Sequence, residues 1–519
     1  MRKVKFIVKS CEIKTGKDNI VFISPKYANL IHVKDGEIVW IKKDENKKFG
    51  SKLYLDYRIE GNFILIPKIL MEKWDLDDGD EVEIFPVEIP DILSAIKRKL
   101  YGKKLSEEEV FNIVKSVVNG SLSSEGIAFF VSGYTISRFS MREAYYLTKA
   151  MVETGEKIIW EDKYKPILDK HSIGGIPANR ISMIIVPIVA SLGYTIPKTA
   201  SRAITSPAGT ADAMEVLANV TFTAKEIKKI VEKTRGCIVW GGGSDLAPAD
   251  DIMISVRHIL KLDPQILVLS SILSKKVAAG SEYMILELPY GPSSPKAKKL
   301  KDLSTWVDRF IKLASKFGIK VYPFKIYTTE PVGKGVGPLL EARDALRVLM
   351  REDERPIDLE FKSVIMSTHL IAFAKLMDEK EALKEIREKL ENKEVYKKMK
   401  EIIKAQGGDP NIKPKDLKPA KIEIEYKSKE EGYVEVIYSK DISEIARIAG
   451  APFFKDCGIY LEKKVGDYVR KGDILFKVYT NDEYIANVIE EELKKRKIYE
   501  IRHALSKKVK KLIDLRKKI

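Results

Sequence analysis

Asp169-Lys170-His171-Ser172-Ile173-Gly174-Gly175 sets an acid, a cation, an imidazole and a hydroxyl directly before two glycines. Glycines let backbone N–H groups approach an oxyanion closely, and a helix opening after them adds partial positive charge. Lys170 supplies a full charge and Ser172 a hydroxyl, so the stretch has the makings of a phosphate cradle. A Gly-containing loop of an α/β domain is the plainer alternative. The apolar run 181–190 that follows is long enough for a buried helix, although a short apolar run also suits a strand.

A second stretch, Ser201-Arg202-Ala203-Ile204-Thr205-Ser206-Pro207-Ala208-Gly209-Thr210, flanks one arginine with hydroxyls. Such a loop binds a second anion or a sugar, or else is a turn with helix caps. Ser271 and Lys275 are four residues apart and share one face of a helix. Asp263 stands before Pro264 and reads, on residues alone, as a helix cap. His171 lies inside the first motif, where it can contact substrate. His32, His258, His369 and His503 have no partners in spacing, so neither a metal nor an organic cofactor is expected.

The elements that must hold these residues follow from the rest of the chain. Its 519 residues exceed one domain and its 45% apolar content fills several cores. Cys11, Cys237 and Cys457 form no metal or disulfide framework, the start lacks a signal-peptide core, and no apolar run spans a membrane. The expectation is a cytoplasmic protein without membrane contact. The net charge of +17 suits nucleic acid or phosphorylated small molecules. The excess is dispersed, its densest run lies in the C-terminal tail, and no RNA-binding or zinc signature occurs; no nucleic-acid partner is expected. In that tail Val509, Leu512, Ile513 and Leu515 have helical spacing, which suggests a solvated surface helix.

Residues 1–87 are β-rich and contain a repeat. Asn19-Ile20-Val21-Phe22-Ile23 returns as Asn62-Phe63-Ile64-Leu65-Ile66, and the Asp35-Gly36 turn returns as Asp78-Gly79. Each half reads strand, short helix, turn, strand, and the two halves should interlock into one small barrel, with the double-psi type as a candidate. Residues 88–156 read as a helical lobe, with Ser106 and Glu109 as a capping box and a later helical segment near 260–280. Residues 157–405 alternate strands and helices as in α/β layering. A linker, 406–420, leads to a β-rich α+β segment, 421–519. The fold class is therefore multidomain α/β, with a small N-terminal barrel, a helical lobe, a central α/β domain and a C-terminal β-rich domain.

Four ordered motifs carry a resemblance: 169–175, 201–210, Leu246-Ala247-Pro248-Ala249-Asp250, and Ser271-Ile272-Leu273-Ser274-Lys275-Lys276. They resemble the pyrimidine-nucleoside (thymidine) phosphorylases from about residue 91 onward. The form of the 201–210 loop and the extra N-terminal barrel are more similar to the archaeal AMP phosphorylases. The resemblance implies that AMP, with CMP and UMP as further nucleoside monophosphates, reacts with inorganic phosphate to give free base and ribose 1,5-bisphosphate. It implies that Lys170, Ser172 and Ser182 bind the attacking phosphate. It implies that Gly175, Ser201, Arg202, Ala203, Ile204, Thr205, Ser206, Thr210, Ser271 and a later lysine bind the nucleotide. That lysine is Lys296, with Lys298 in reserve because the spacing is shifted. Asp263 matches the proton donor, and Arg257 matches a base-contacting arginine of the nucleoside enzymes. A homo-oligomer, dimer or larger, is expected, with the helical lobe as a candidate interface. Three alternatives remain: a pyrimidine-nucleoside phosphorylase, a magnesium-dependent phosphoribosyltransferase using Asp250-Asp251, and a nucleic-acid-binding protein.

Overall fold

The computed structural model describes residues 4–15, 19–45, 47–203, 206–260 and 262–517, with backbone only at 258, 260 and 517. The chain divides into two compact units, Met1–Glu156 with Ala247–Ser274, and Lys157–Leu246 with Lys275–Ile519.

The first unit opens with six strands, β1 (Val4–Cys11), β2 (Ile20–Ile23), β3 (Ile38–Lys42), β4 (Lys48–Leu55), β5 (Phe63–Pro67) and β6 (Glu81–Pro86). They close into a barrel in the order β1-β5-β2-β4-β3-β6. The repeat explains the closure. The helices Pro25–Leu30 and Lys68–Trp74 occupy equivalent places after β2 and β5. Strands β2 and β5 lie side by side, and alternate residues such as Val21, Ile23, Ile64 and Ile66 are fully buried.

The lobe of this unit contains the helices Pro90–Leu100, Glu107–Val118, Ser124–Ile136, Met141–Glu153 and Pro248–Leu260. Ser106 and Glu109 form the expected capping box, each side chain bonding the other residue's backbone N–H. Deep in the lobe the Lys99 ammonium meets Glu143 at 2.7 Å, and the same carboxylate accepts the Leu105 N–H at 3.1 Å. Leu93, on the first of these helices, points to solvent.

The second unit is built on parallel strands β7 (Leu168–Ser172), β8 (Ile196–Ala200), β9 (Gly236–Trp240), β10 (Tyr283–Tyr290) and β11 (Lys320–Tyr327). Strand β10 lies between β11 and β7, β8 pairs with β9, and Ile167 bridges to Thr195, so all five run the same way. The run 181–190 is helical, over Ser182–Ser191. Met183, Ile184, Ile185, Val186, Ile188 and Val189 are all fully buried, which explains an apolar pattern without a period.

Beyond the sheet, Gln406 is itself buried. Its amide accepts the Ile238 N–H at 3.0 Å and donates to the Asn219 and Ile238 carbonyls. The C-terminal segment forms two small antiparallel sheets with the helices Ser439–Ile448, Glu483–Lys494 and Lys507–Lys517. The tail helix has the expected solvated basic face, with Lys507, Lys508, Lys510 and Lys511 exposed. Val509 is buried, Leu515 is exposed, and Arg516 turns inward to Glu330 at 2.6 Å. No described helix is long and apolar enough to cross a membrane.

Candidate active site

The carboxyl ends of β7, β8, β9 and β10 release the segments 173–181, 201–209, 241–247 and 291–299. In parallel sheets, ligands bind outside that edge, because the loops there can vary while the strands stay packed. The first two segments contain both phosphate-like motifs. The helix after the first begins only at Ser182, so Gly174 and Gly175 stand in a turn ahead of it rather than at its first residue. Gly175 has φ +63°, a left-handed conformation, and a Cβ there would meet nothing within 4 Å.

Beneath these loops lies a cluster of buried charge. Lys170 on β7 faces Glu287 on β10 at 3.1 Å. Glu287 also pairs with Lys362 and accepts the Asn179 amide at 3.1 Å. Asp169, the neighbour of Lys170 on β7, holds Lys276 at 2.7 Å and accepts the Ser281 hydroxyl at 2.9 Å, while Lys198 on β8 stands 4.0 Å away. Arg180 pairs with Glu341. Five buried cations, Lys170, Lys198, Lys276, Lys362 and Arg180, thus face three carboxylates, Asp169, Glu287 and Glu341, and every one of these side chains belongs to a residue at most 6% exposed.

Formally two positive charges are in excess; loss of lysine protons relieves part of it, and an anion such as a phosphate dianion would favour the fully charged form. The titration of the cluster follows from the same crowding. Burial lowers Lys170 to about 8, against the pull of Glu287. Burial and then the Lys276 charge push Lys198 well below the ordinary lysine range. Burial alone would raise Glu287, but Lys362 and Lys170 hold it well below the usual carboxylate range. Burial first, and then the Lys276, Lys198, Lys170 and Lys296 charges, push His171 well below the ordinary imidazole range.

The 201–209 segment is tied at its neck. Asp212 accepts the Ala203 and Gly209 N–H groups, both at 2.7 Å. A Cβ on Gly209 would stand 2.3 Å from the Ser201 carbonyl oxygen, so only glycine allows the two ends to approach this closely. Arg180 donates to the Thr210 hydroxyl at 2.9 Å and to the Ala208 carbonyl at 2.8 Å. This joins the second motif to the charge cluster. Ser201 is exposed, the Ser206 hydroxyl donates to the Ala208 carbonyl at 2.9 Å, and Ile204 and Thr205 lie outside the described residues.

The other expected site residues are more scattered. Ser172 accepts the Asn179 amide at 3.3 Å, and Ser182 is buried at the first turn of its helix. Lys296 and Lys298 are exposed after β10, and Lys298 donates to the Pro292 carbonyl at 2.7 Å. Lys275 packs its stem beside Gly241. Asp263, Ser271 and Arg257 belong to the first unit. There Ser271 donates to the buried Asp250 at 2.8 Å, and Asp263 is exposed beside a hollow of about 290 Å³ lined by Tyr134, Arg138, Phe139 and Leu262. Ser271 and Lys275 share the helix Gln265–Ala278, as their spacing requires.

Sequence reasoning missed Glu287, Lys198, Lys362, Arg180 and Asn179. Glu287 did leave a trace, as the one charge inside the apolar run Met284-Ile285-Leu286-Glu287-Leu288. A lone acid on a buried strand must find a cation.

Comparison with known proteins adds the family. Residues 93–155 match the helical bundle domain of the glycosyl transferase family, and 164–263 match its a/b domain. Residues 433–499 match the pyrimidine nucleoside phosphorylase C-terminal domain. The chain is 40% identical to the AMP phosphorylase of Pyrococcus furiosus over 92% of its own length and 93% of that protein. It is 42% identical to the AMP phosphorylase of Thermofilum pendens over 84% of its length and 83% of that protein. Among solved structures, anthranilate phosphoribosyltransferase from Thermus thermophilus superposes with a TM-score of 0.49 at 19% identity, over 60% of this chain and 99% of that one.

Proposed function

The chain belongs to the AMP phosphorylase family, and on that premise we propose that it cleaves AMP with inorganic phosphate to adenine and ribose 1,5-bisphosphate. It is an enzyme, a pentosyltransferase. The observation that supports this most directly is the buried excess of cations under the carboxyl edge of the parallel sheet. An oxygen of inorganic phosphate forms a bond to the anomeric carbon as the bond from that carbon to the base breaks. The electron pair leaves with the base, which takes up a proton, and the 5′-phosphate stays on the sugar. CMP and UMP present the same bond and are further substrates.

Lys170, Ser172 and Ser182 hold the attacking phosphate, which lowers the entropy cost of bringing two anions together. Gly175, the 201–206 segment, Thr210, Ser271 and Lys296 hold the nucleotide. Asp263 donates the proton that lets the base leave neutral. His171, uncharged, and Lys275 are further contacts. We place the enzyme in the cytoplasm as a homo-oligomer, in keeping with its three cysteines being free thiols.

The test is to incubate the protein with phosphate and AMP, CMP, UMP, adenosine or thymidine, and to measure free base and sugar phosphate. Adenine and ribose 1,5-bisphosphate in equal amounts from AMP are expected. Cleavage of thymidine without cleavage of AMP would transfer the protein to the pyrimidine-nucleoside activity.

A further inference from the structure

We propose that Glu215 and Lys455 position the nucleotide loop by fixing the Arg202 side chain within it. The inference rests on the AMP reading above. It begins from what Arg202 already touches. Its guanidinium reaches Glu215 through Nη1 at 2.8 Å and Nη2 at 2.5 Å, and Asp212 through Nη1 at 3.3 Å. The guanidinium carbon lies 4.7 Å from the centre of the Trp240 ring. A planar fork engaged by carboxylates along its edge and by an indole on its face is fixed in orientation, and at 33% exposure it can still meet a ligand.

Glu215 is shared. Its Oε2 lies 2.8 Å from the Lys455 ammonium, in the C-terminal segment. Lys455 is itself held in place, because its carbonyl accepts the Leu339 N–H at 3.0 Å, at the start of the helix Pro338–Met350. Arg202 and Lys455 hold the Glu215 carboxyl down to about 2. Arg202 and Lys455 thus balance Asp212 and Glu215, and the neck of the loop is electrically neutral. Without Lys455, a net negative charge would stand beside a loop that must accept a phosphate dianion.

The chemistry predicts a selective defect. Lys455→Met should raise KM for AMP about tenfold, the size of one lost charge-assisted contact, with the loss absent from kcat and from KM for phosphate. Lys455→Arg should restore the wild-type KM. Arg202→Lys keeps a cation but not the fork, so it should raise KM for AMP as well. Steady-state rates with AMP and phosphate varied in turn provide the readout, and Lys455→Gln serves if the methionine variant does not fold. An unchanged KM for AMP in the Lys455 variants, an equal rise in KM for phosphate, or a wild-type KM in Arg202→Lys would overturn the inference. A wild-type protein that does not cleave AMP would overturn the functional reading itself.

Discussion

Glu287→Gln tests whether the buried charge cluster is held by one carboxylate. The substitution keeps the shape of the side chain and removes the charge shared by Lys170 and Lys362. At the 3.1 Å separation of Lys170 and Glu287, and an effective dielectric of about 20, the attraction is roughly 5 kcal/mol. Desolvation of the pair offsets much of that in the intact protein. Removing one partner leaves the other buried and uncompensated, which costs about 3–5 kcal/mol. The loss should be local to β7 and β10, so hydrogen exchange of peptides covering 168–172 and 283–290 is the assay. A loss of about 3 kcal/mol corresponds to a fall in protection of about two orders of magnitude. Adding Lys362→Met to Glu287→Gln removes one of the stranded charges and should recover part of the protection. Unchanged protection in the single variant, or no recovery in the double, would refute the reasoning.

Three further outcomes are expected. Because Lys170 titrates at about 8, kcat/KM for phosphate should fall as pH rises through that value, and a flat profile from about pH 7 to 10 would contradict its role. Between about 8 and the ordinary lysine value of 10.5 the unfolded chain binds this proton more tightly than the folded one, so this group's contribution to stability increases with pH across that window. Asp263→Asn should lower turnover on AMP by about 10²–10⁴ without moving the melting temperature, and wild-type turnover would remove Asp263 from the mechanism. Deleting residues 1–87 should change the number of protomers per assembly, read from light-scattering mass, more than kcat; an unaltered protomer number would mean that the barrel plays no part in assembly.

What was legible in the sequence is what local physics controls. The barrel repeat showed because alternation and Asp-Gly turns are set by neighbours along the chain, and the Ser106–Glu109 box closes over three residues. The two candidate anion motifs stood out for the same reason, since each is a contiguous run of glycines, hydroxyls and a cation. The run 181–190 did not declare its conformation, because an element buried on every side has no polar face to give it a period. Only the tertiary structure assembled Glu287 with Lys170 and Lys362, and Asp169 with Lys198 and Lys276. These residues come from separate strands and helices, and the parallel pairing of β10 with β7 brings Glu287 and Lys170 together. Arg202 shows the same division. Its type suited an anion, but whether its charge was free or already committed depended on Glu215 and Lys455, and no pattern along the chain records a partner more than two hundred residues away.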